Sequence, residues 1–493
     1  MNKKGDILVS VIIFAAIAIT VIIGLTNWGA AVLSNIRNVA DKEQAFQIAE
    51  AGLDYYRWHL AQSPNDYNDG TTTPGPYIHQ FNDKDGNHLG QFSLTITPPL
   101  LGSTIVKIVS VGTLATSSIS RTLEARMAII SLAKYAVVSN DNMRFGVGTE
   151  VFGPIQVNGG IRFDGVAHNL VSSAMAQYND TDPDDCNIDQ SYGVHTCVDP
   201  DDPSPPTAVP NRSDVFVAGR QFPVPAVDFA GLTAGLTQLQ ILAQPAAGGK
   251  EWLSSGKKGY HIVFKVNGSV TVYDIYKVNS TEPPPTTGSP NCGADNAATH
   301  QLQWGTWSIK GKNPNDSLQP NQTLVASNQL IPANGVIFVD DHVWVDGHIQ
   351  NTRVTVAAGI IGNTDPTKNA NITVNSDLTY SNYNGTDAIG LIAQGNINVG
   401  MLSDDNLQID AALVAEKGRA GRFYYNNNCT NSSRASITLN GMIATYIRYG
   451  FAYTDSTGYN TRNINYDANL LYGPPPSFPQ ATSQYQVISW KQI

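Results

Sequence analysis

An apolar run near the N-terminus, Ile7 to Leu25, constrains this chain more than any other stretch of its sequence. The run carries no charged side chain, and Ser10 and Thr20 are its only polar residues. As a helix rising ~1.5 Å per residue it covers roughly 28 Å, close to the hydrocarbon thickness of a bilayer. The run therefore predicts a membrane helix over Ile7 to Leu25.

The helical pattern continues beyond the apolar run, because no proline occurs before Pro64. Further along, apolar residues recur at spacings of three and four, which places them on one face of an amphipathic helix. These residues are Ala45, Ile48, Ala49, Leu53, Tyr56 and Leu60. The sequence predicts a single helix from Ile7 to Gln62, with a membrane-compatible first half and a second half that lies on a folded domain.

The residues before the run distinguish it from a secretory signal peptide, whose apolar region is shorter and ends at a small-residue cleavage site. Lys3, Lys4 and Gly5 form a short basic leader, and Gln44–Leu53 reads QAFQIAEAGL. Together these segments resemble the type IV pilin-like proteins, and among them the PilX-like minor pilins. The resemblance implies leader cleavage between Gly5 and Asp6, methylation of the new N-terminus, and packing of the helix with other pilin subunits or the pilus assembly machinery.

Two positions depart from the pilin pattern. Asp6 stands where the family has an apolar residue, and Ser10 stands where major pilins keep a glutamate, which favours a minor or tip subunit. The alternative is a plain N-terminal membrane anchor. Under both interpretations Lys3 and Lys4 place the N-terminus in the cytoplasm, and the body lies outside, at the cell surface or on a pilus.

Composition limits the partners and the redox chemistry. The 493 residues carry a formal net charge of −10, and only 14% are charged, which argues against nucleic acid as a partner. Four cysteines are too few for a disulfide scaffold. Cys186 and Cys197 bracket a short loop and are predicted to form a disulfide in an exported protein; the alternative is two free thiols. The pairing of Cys292 and Cys429 stays open.

After Pro64 the pattern changes from helix to short strands rich in Val, Ile, Thr and Phe, separated by turn residues. The predicted strands are Tyr77–Phe81, Gly90–Thr97, Thr104–Gly112 and Ser118–Ala128. They indicate a small antiparallel sheet with the amphipathic half-helix on its apolar face. Residues 1–5 are then the leader, 6–62 the helix, and 63–132 a pilin-like α+β head.

The remainder of the chain is repetitive. Strand openings recur about every 18 residues, at Val336, Val354, Ile372, Ile389 and Leu407. A constant step of this kind is typical of a β-solenoid, and a β-sandwich is the competing fold. The prediction is a first solenoid segment over 133–172, an insertion with an Asp- and Pro-rich loop over 173–332, and a solenoid with a C-terminal tail over 333–493. The predicted fold class is α+β, mostly β.

One row of polar and aromatic side chains merits consideration as a site. By strand alternation His342, Trp344, Asp346 and His348 share one face, opposite a valine face that is expected to be the core. Such a row is able to bind a metal ion or a sugar ring; a solvated strand face is the other interpretation. No catalytic motif occurs, and no catalytic residue is predicted.

No cofactor is predicted, and calcium is the one ion considered. Asp83–Asn87 reads DKDGN and resembles part of a calcium loop, although a hairpin turn is favoured because the remaining ligand positions are not acidic. A second acidic run is interpreted as solvated or calcium-binding: Asp182, Asp184, Asp185, Asp189, Asp199, Asp201 and Asp202.

The leading functional hypothesis is a non-enzymatic, membrane-anchored, pilin-like envelope protein that acts in filament assembly, priming or surface adhesion. Its expected partners are the lipid bilayer, other pilin subunits or the pilus machinery, and a surface glycan or host ligand. The alternative is a membrane-tethered β-helix protein that binds carbohydrate or degrades polysaccharide.

Overall fold

The structure, a computed structural model, describes residues 3–182, 190–229, 235–276, 278, 309, 322–400, 402–425, 432–482 and 484–493, with side chains from Ile7 onward. The chain divides into two compact units. Unit 1 comprises Met1–Pro99, Ile105–Ala128 and Gln484–Ile493, and unit 2 comprises Leu100–Thr104 and Ile129–Ser483. Both ends of the chain thus belong to unit 1, and the predicted α+β, mostly β fold class is confirmed.

Unit 1 is built on one continuous helix, α1, which spans Lys3–Gln62, as the pattern predicted. Its apolar first half is exposed and, by length and composition, able to cross a membrane. Two hydroxyls in this half bond to the helix backbone: Thr20 Oγ1 donates to the Ala16 carbonyl at 2.8 Å, and Thr26 Oγ1 to the Ile22 carbonyl at 3.0 Å. These side chains therefore leave no unsatisfied donor in an apolar surrounding.

The second half of α1 packs on a five-stranded antiparallel sheet. The strands are β1 (Tyr77–Asn82), β2 (His88–Thr97), β3 (Val106–Leu114), β4 (Ser120–Ala128) and β30 (Gln486–Gln492), in the order β1-β2-β3-β4-β30. All six predicted face residues of the helix are at most 4% exposed. The four predicted strands are confirmed, whereas the fifth strand comes from the end of the chain.

Two glycines set the close approach of helix and sheet. A Cβ added at Gly112 of β3 would lie 2.2 Å from the Ala45 carbonyl oxygen and 2.4 Å from the Ala49 nitrogen. A Cβ added at Gly52 of α1 would lie 2.3 Å from Ser110 Oγ. At Gly112 the close atoms belong to the backbone, so only glycine fits while helix and strand remain this close; at Gly52 they belong to the side chains of Ser110 and Phe92, which would have to shift.

The C-terminal strand closes unit 1. β30 pairs with β4, and the Trp490 ring meets the Phe46 ring of α1 edge-on, with 5.8 Å between ring centroids. Just before β30, the Tyr485 hydroxyl lies 3.1 Å from the Pro64 carbonyl oxygen, to which it donates. The last residues, predicted as a tail of the solenoid, are therefore a strand of the helix-bearing unit.

The regular secondary structure of the described part of unit 2 is mostly short strands. In chain order these are β5 (Val137–Ser139), β6 (Met143–Phe145), β7 (Thr149–Phe152), β8 (Ile155–Val157), β9 (Ile161–Phe163), β10 (Val166–Ala167), β11 (Val171–Ser173), β12 (Gln177–Tyr178), β13 (Ser191–Tyr192), β14 (Val194–His195), β15 (Arg220–Gln221), β16 (Lys250–Trp252), β17 (Tyr260–Lys265), β18 (Ser269–Ile275), β19 (Gln322–Leu330), β20 (Val336–Val339), β21 (Val343–Ile349), β22 (Arg353–Ala358), β23 (Ile372–Tyr380), β24 (Ala388–Ala393), β25 (Ile397–Val399), β26 (Asn406–Ala415), β27 (Ala420–Arg422), β28 (Ser433–Thr445) and β29 (Gly458–Tyr466). The second helix, α2, spans Gly235–Ala243, and short 3₁₀ helices span Leu132–Lys134, Pro245–Ala247, Pro366–Lys368 and Ala468–Leu471.

Most of these strands pair in parallel, in stacked layers that we call coils, and not in the antiparallel pairs of a sandwich. One parallel column runs in the order β16-β20-β22-β24-β26-β28-β5-β8-β11-β15. Inward side chains, mainly Val, Ile and Ala, fill a continuous core between the columns. We call this first column the long column below.

The order of the long column differs from the order of the chain. The chain begins in the middle, at β5, and winds to one end at β15. It then crosses to the opposite end at β16 and winds back until β28 pairs with β5, Ile443 lying opposite Val137. The described parts of the crossing segment are residues 222–229 and 235–249. They include α2, whose Leu236, Leu239 and Ala243 pack with apolar residues of the long column, including Val336 and Phe338.

The regular 18-residue step was wrong as a measure of coil length. Val336 pairs with Thr355, whereas Val354 pairs with Ile389, so neighbouring coils differ in their number of residues. Ile372 lies in a second column. The 18-residue step is therefore the sequence spacing between strands that belong to different columns. The turns between these strands vary in length, so the step does not equal one coil.

Part of the range predicted as an insertion supplies coil strands. β16 pairs in parallel with β20, and β17 pairs in parallel with β21. β17 and β18 form an antiparallel hairpin, and β19 pairs antiparallel with β18, so that three antiparallel strands extend this end of unit 2. These strands belong to the same hydrogen-bonded sheet as the later coils.

Candidate functional site

The largest candidate functional surface is the apolar half of α1. Its large side chains are all more than half exposed: Ile7, Leu8, Val9, Val11, Ile12, Ile13, Phe14, Ile17, Ile19, Val21, Ile22, Ile23 and Leu25. A continuous apolar surface of this size is unfavourable in water and marks a site that lipid or protein covers. Lys3, Lys4, Gly5 and Asp6, which include the predicted cleavage site, lie within the backbone bounds of α1, and their side chains lie outside the described part of the chain.

The predicted row on β21 does not form one exposed face. Val343, Val345 and Ile349 point into the core, as alternation predicted. Trp344, expected to face outward into solvent, is 1% exposed and packs with Ile275 and other apolar residues. The predicted alternation of side chains along β21 was right. The predicted solvent exposure of Trp344 was wrong, because residues distant in sequence cover the outer side of the strand.

His342, at the start of β21, is held as a neutral acceptor. Its Nδ1 accepts a hydrogen bond from the Asn371 backbone nitrogen at 3.1 Å. Burial lowers the pKa of His342 to about 4, against the opposing effect of the nearby Asp341 carboxylate. At neutral pH this imidazole is therefore uncharged and engaged within the fold.

Because the His342 imidazole is neutral in the fold, we expect unit 2 to be sensitive to acid. The unfolded chain binds a proton at His342 below pH ~6.5, while the folded chain resists it down to about pH 4. The free energy of unfolding of unit 2 should thus be fully present above pH 6.5 and fall by up to about 3 kcal/mol as the pH drops to 4. His342→Asn, which retains an acceptor and cannot titrate, should flatten this dependence in urea unfolding followed at pH 7, 5.5 and 4. Parallel pH curves for both chains would contradict the assignment.

Asp346 lies in a polar cleft of about 440 Å³. Its Oδ2 accepts from Asn375 Nδ2 at 2.7 Å and lies 3.0 Å from His261 Nε2. The His261 ring also stacks with Tyr273, with 5.9 Å between centroids and 28° between planes. The other lining residues are Val263, Gln322, Gly347, Ser376 and Asp377. Rings beside carboxylates and amides are the groups that contact sugars, so the cleft is a candidate binding site.

His348 belongs to neither the cleft nor the His342 site. Its Nδ1 lies 2.6 Å from Thr379 Oγ1, and its Nε2 lies 2.7 Å from Ser381 Oγ. The four side chains of the predicted row thus have four different surroundings. The cleft residues His261 and Tyr273 were missed, because they come from a hairpin that joins β21 only through tertiary pairing.

The acidic segments form turns and ion pairs. Asp83 Oδ1 accepts from the backbone nitrogens of Asp85 and Asn87 at 2.9 and 2.8 Å, which closes the hairpin turn between β1 and β2. Asp182 pairs with Arg448 at 2.8 Å, and Asp202 pairs with Arg220. Asp199 and Asp201 are exposed; Asp184, Asp185 and Asp189 lie outside the described residues. Within the described ranges, no group of three His, Cys, Asp or Glu residues is placed to hold a metal ion.

The cysteines fall mostly outside the described ranges. Cys197 is disulfide-bonded. Its predicted partner Cys186, and Cys292 and Cys429, lie outside the described residues. The pairing of Cys197 with Cys186 therefore stays a prediction.

These features define a class of protein: a helix able to anchor in a membrane, packed on a small antiparallel sheet, with a large β-rich unit inserted before the last strand of that sheet. No protein-family model and no curated protein matches the chain. Among solved structures, the crystal structure of the competence-associated pilin ComZ from Thermus thermophilus is similar, with 14% identity over 92% of this chain and 98% of that chain and a TM-score of 0.30. A likeness at this score does not establish a shared fold.

Proposed function

We propose that this chain is a membrane-anchored, pilin-like structural protein, of the kind represented by PilX-like minor pilins. Its helix enters a type IV pilus or a related envelope filament, or the platform that assembles it, and the β-rich unit faces outward for priming or adhesion. The observation that carries the proposal is α1 itself, a 60-residue helix with an exposed apolar half and a half buried on a sheet.

The energetics of α1 favour this role over that of a soluble protein. On membrane-insertion scales one large apolar side chain contributes about 0.3–0.6 kcal/mol, so about a dozen of them favour the covered state by roughly 4–7 kcal/mol. Lipid chains and the apolar helices of neighbouring subunits both remove these side chains from water. The same surface therefore holds the chain in the bilayer before assembly and packs it among subunits afterwards.

The leader and the first mature residues support a minor subunit. Lys3 and Lys4 keep the N-terminus in the cytoplasm, and Gly5 is placed as the leader glycine of a pilin signal. In the resembled family, a glutamate at the position of Ser10 neutralises the free N-terminus of a neighbour. A chain with Ser10 has no such carboxylate to offer, which suits a subunit present once or a few times per filament.

The mass of the mature N-terminal peptide, measured on protein from the membrane fraction, tests this proposal. We expect a chain that begins at Asp6 and carries a methyl group on its new N-terminus. Gly5→Leu, which blocks the leader junction and leaves the apolar run intact, should yield only the uncleaved chain. An intact Met1 in the unmodified protein would leave a plain membrane anchor and overturn the pilin-like role.

Glycan binding by the outward-facing unit is a second candidate function, favoured by the cleft at Asp346. The cleft combines the stacked rings of His261 and Tyr273 with a carboxylate and the Asn375 amide. In this proposal the cleft serves adhesion without catalysis. Asp346 is already bonded to His261 and Asn375, so its place is that of a positioning and binding group.

A further inference from the structure

A second, larger cavity lies on the outer surface of the long column, away from the Asp346 cleft. It has a volume of about 770 Å³, within the range of small-molecule sites. Three segments of unit 2 form its walls: the incoming chain at Leu132–Tyr135, the crossing segment at Val224–Asp228 with Gly235 and Leu239 near and on α2, and the outgoing chain at Ser477–Thr482. Gln156, Ile392 and Glu416 of the coils also line it.

The wall formed by the crossing segment is held in place by side-chain amides of the coils. Gln156 Nε2 donates to the Pro225 carbonyl at 3.1 Å. The side-chain amide of Asn158 makes two hydrogen bonds to the Val227 backbone. Its Nδ2 donates to the Val227 carbonyl at 2.8 Å, and its Oδ1 accepts from the Val227 nitrogen at 2.7 Å. Because these bonds pin an extended segment across the sheet, the space beneath it is part of the fold.

Glu416 is the unexplained group in this cavity. Glu416 is the residue directly after the last residue of β26, Ala415, and it is only 1% exposed. Among the described residues, its Oε2 has no hydrogen-bond partner. Burial raises the pKa of this carboxyl to about 8, so it is largely protonated at neutral pH. A carboxyl oxygen that has no partner among the described residues of a formed cavity is costly to bury, and a bound ligand would satisfy it.

We propose that this cavity binds a primary ammonium group carried on an apolar chain, with Glu416 as its anchor. A cation is the partner that gains most, because it replaces an uncompensated carboxyl with a charge-assisted hydrogen bond. The apolar part of the ligand lies against Leu132, Tyr135, Leu239 and Ile392. The same chemistry is offered by a free alkylamine and by a lysine side chain of a peptide.

The charges around Glu416 are compatible with this ligand. Asp228 lines the cavity as a second carboxylate, and Lys134 is the lining cation, with its Nζ 4.8 Å from the centroid of the Tyr135 ring. Lys417 follows Glu416 in the chain and acts against the rise of its pKa. Since the carboxyl must lose its proton to pair with an ammonium ion, binding should release a proton and tighten between pH 6.5 and 8.

Calorimetry on the full chain in a non-ionic detergent tests the proposal with defined probes. n-Pentylamine and the peptide acetyl-Gly-Lys-Gly-amide represent the two sources of the ammonium group, and n-pentanol is the neutral control. We expect at least one amine probe to bind at least tenfold more tightly than pentanol. Binding of the peptide alone identifies a peptide partner, and binding of pentylamine identifies a free amine.

Variants separate Glu416 from the rest of the cavity. Glu416→Gln preserves size and should lower amine affinity at least tenfold and abolish proton release. Glu251→Gln is the matched control, because the Glu251 carboxylate already accepts from Gln240 Nε2 at 2.9 Å and Gln244 Nε2 at 2.5 Å. Ala226→Phe narrows the cavity without touching Glu416 and should also weaken binding. Absence of binding by both amines, equal binding of pentanol, or unchanged affinity in Glu416→Gln would each overturn the proposal, whatever the role of α1.

Discussion

The double variant Ile13→Asp, Ile17→Asp is expected to leave the membrane fraction. Both side chains are more than half exposed on α1 and lie near the middle of the apolar run, so their replacement disturbs no packing within unit 1. On insertion scales a carboxylate at a helix centre costs about 2.5–3.5 kcal/mol, and each large apolar residue contributes about 0.3–0.6. Two carboxylates therefore offset most of the total supplied by the run, whereas one would not.

Fractionation of cells into membrane and soluble material, followed by quantification of the chain, measures this effect. The matched control is Asn35→Asp, Val39→Asp, which places two carboxylates at the same spacing on α1 beyond the apolar run. Both control positions are exposed, Val39 at 66%. The control should fractionate as the unmodified chain does. Retention of the Ile13→Asp, Ile17→Asp variant in the membrane at the unmodified level would show that the apolar run is not what anchors the protein.

Local periodicity was sufficient to predict unit 1 almost completely. The face of α1 from Ala45 to Leu60 could be assigned because helical side chains three and four residues apart share one surface whatever lies opposite. The four strands followed from alternation and turn residues. β30 could not be assigned to this sheet, because pairing between β4 and a strand more than three hundred residues later leaves no local pattern.

The coils of unit 2 show where a repeat step misleads. The sequence predicted a β-solenoid from a constant step between strand openings and from units that end in Asn, Asp or Gly; the strands do pair in parallel, as stacked coils require. The order of the coils did not follow from the sequence, because the contact of Ile443 with Val137 depends on the path of the crossing segment. Strand pairing across such distances is decided by tertiary packing, which the step between strand openings does not encode.

The candidate sites were only partly visible for the same reason. Asp346 was recognised beside other polar residues of its strand, but its actual partner His261 comes from β17, which pairs with β21 only in the fold. Glu416 carried a weak signal: an acid directly after the apolar end of β26, Ala411–Ala415. Its significance depends on the absence of a partner for Oε2 among the described residues, which only the structure shows.

Gly112→Val is expected to separate the amphipathic half of α1 from its sheet. The new Cβ would lie 2.2 Å from the Ala45 carbonyl oxygen and 2.4 Å from the Ala49 nitrogen, and both are backbone atoms that no rotamer change can move. Helix and strand must therefore move apart, which opens the core formed by Ile48 and its neighbours. Overpacking costs typically 1–3 kcal/mol, and a backbone clash lies at or above the upper end, so we expect a loss of about 3 kcal/mol or more.

Hydrogen exchange read by mass spectrometry measures this loss separately in each unit, since a single unfolding free energy does not describe a chain with two units. In Gly112→Val, peptides from β3 and from the second half of α1 should exchange faster by two orders of magnitude or more, while peptides from β26 and β28 keep their protection. Thr113→Val is the control, because it places the same new residue type next to Gly112 on the opposite face of β3, where it exchanges only a hydroxyl for a methyl group. If α1 peptides are equally protected from exchange in the two variants, the close approach at Gly112 does not hold the helix on the sheet. Other contacts would then have to fix α1 to the folded part of unit 1.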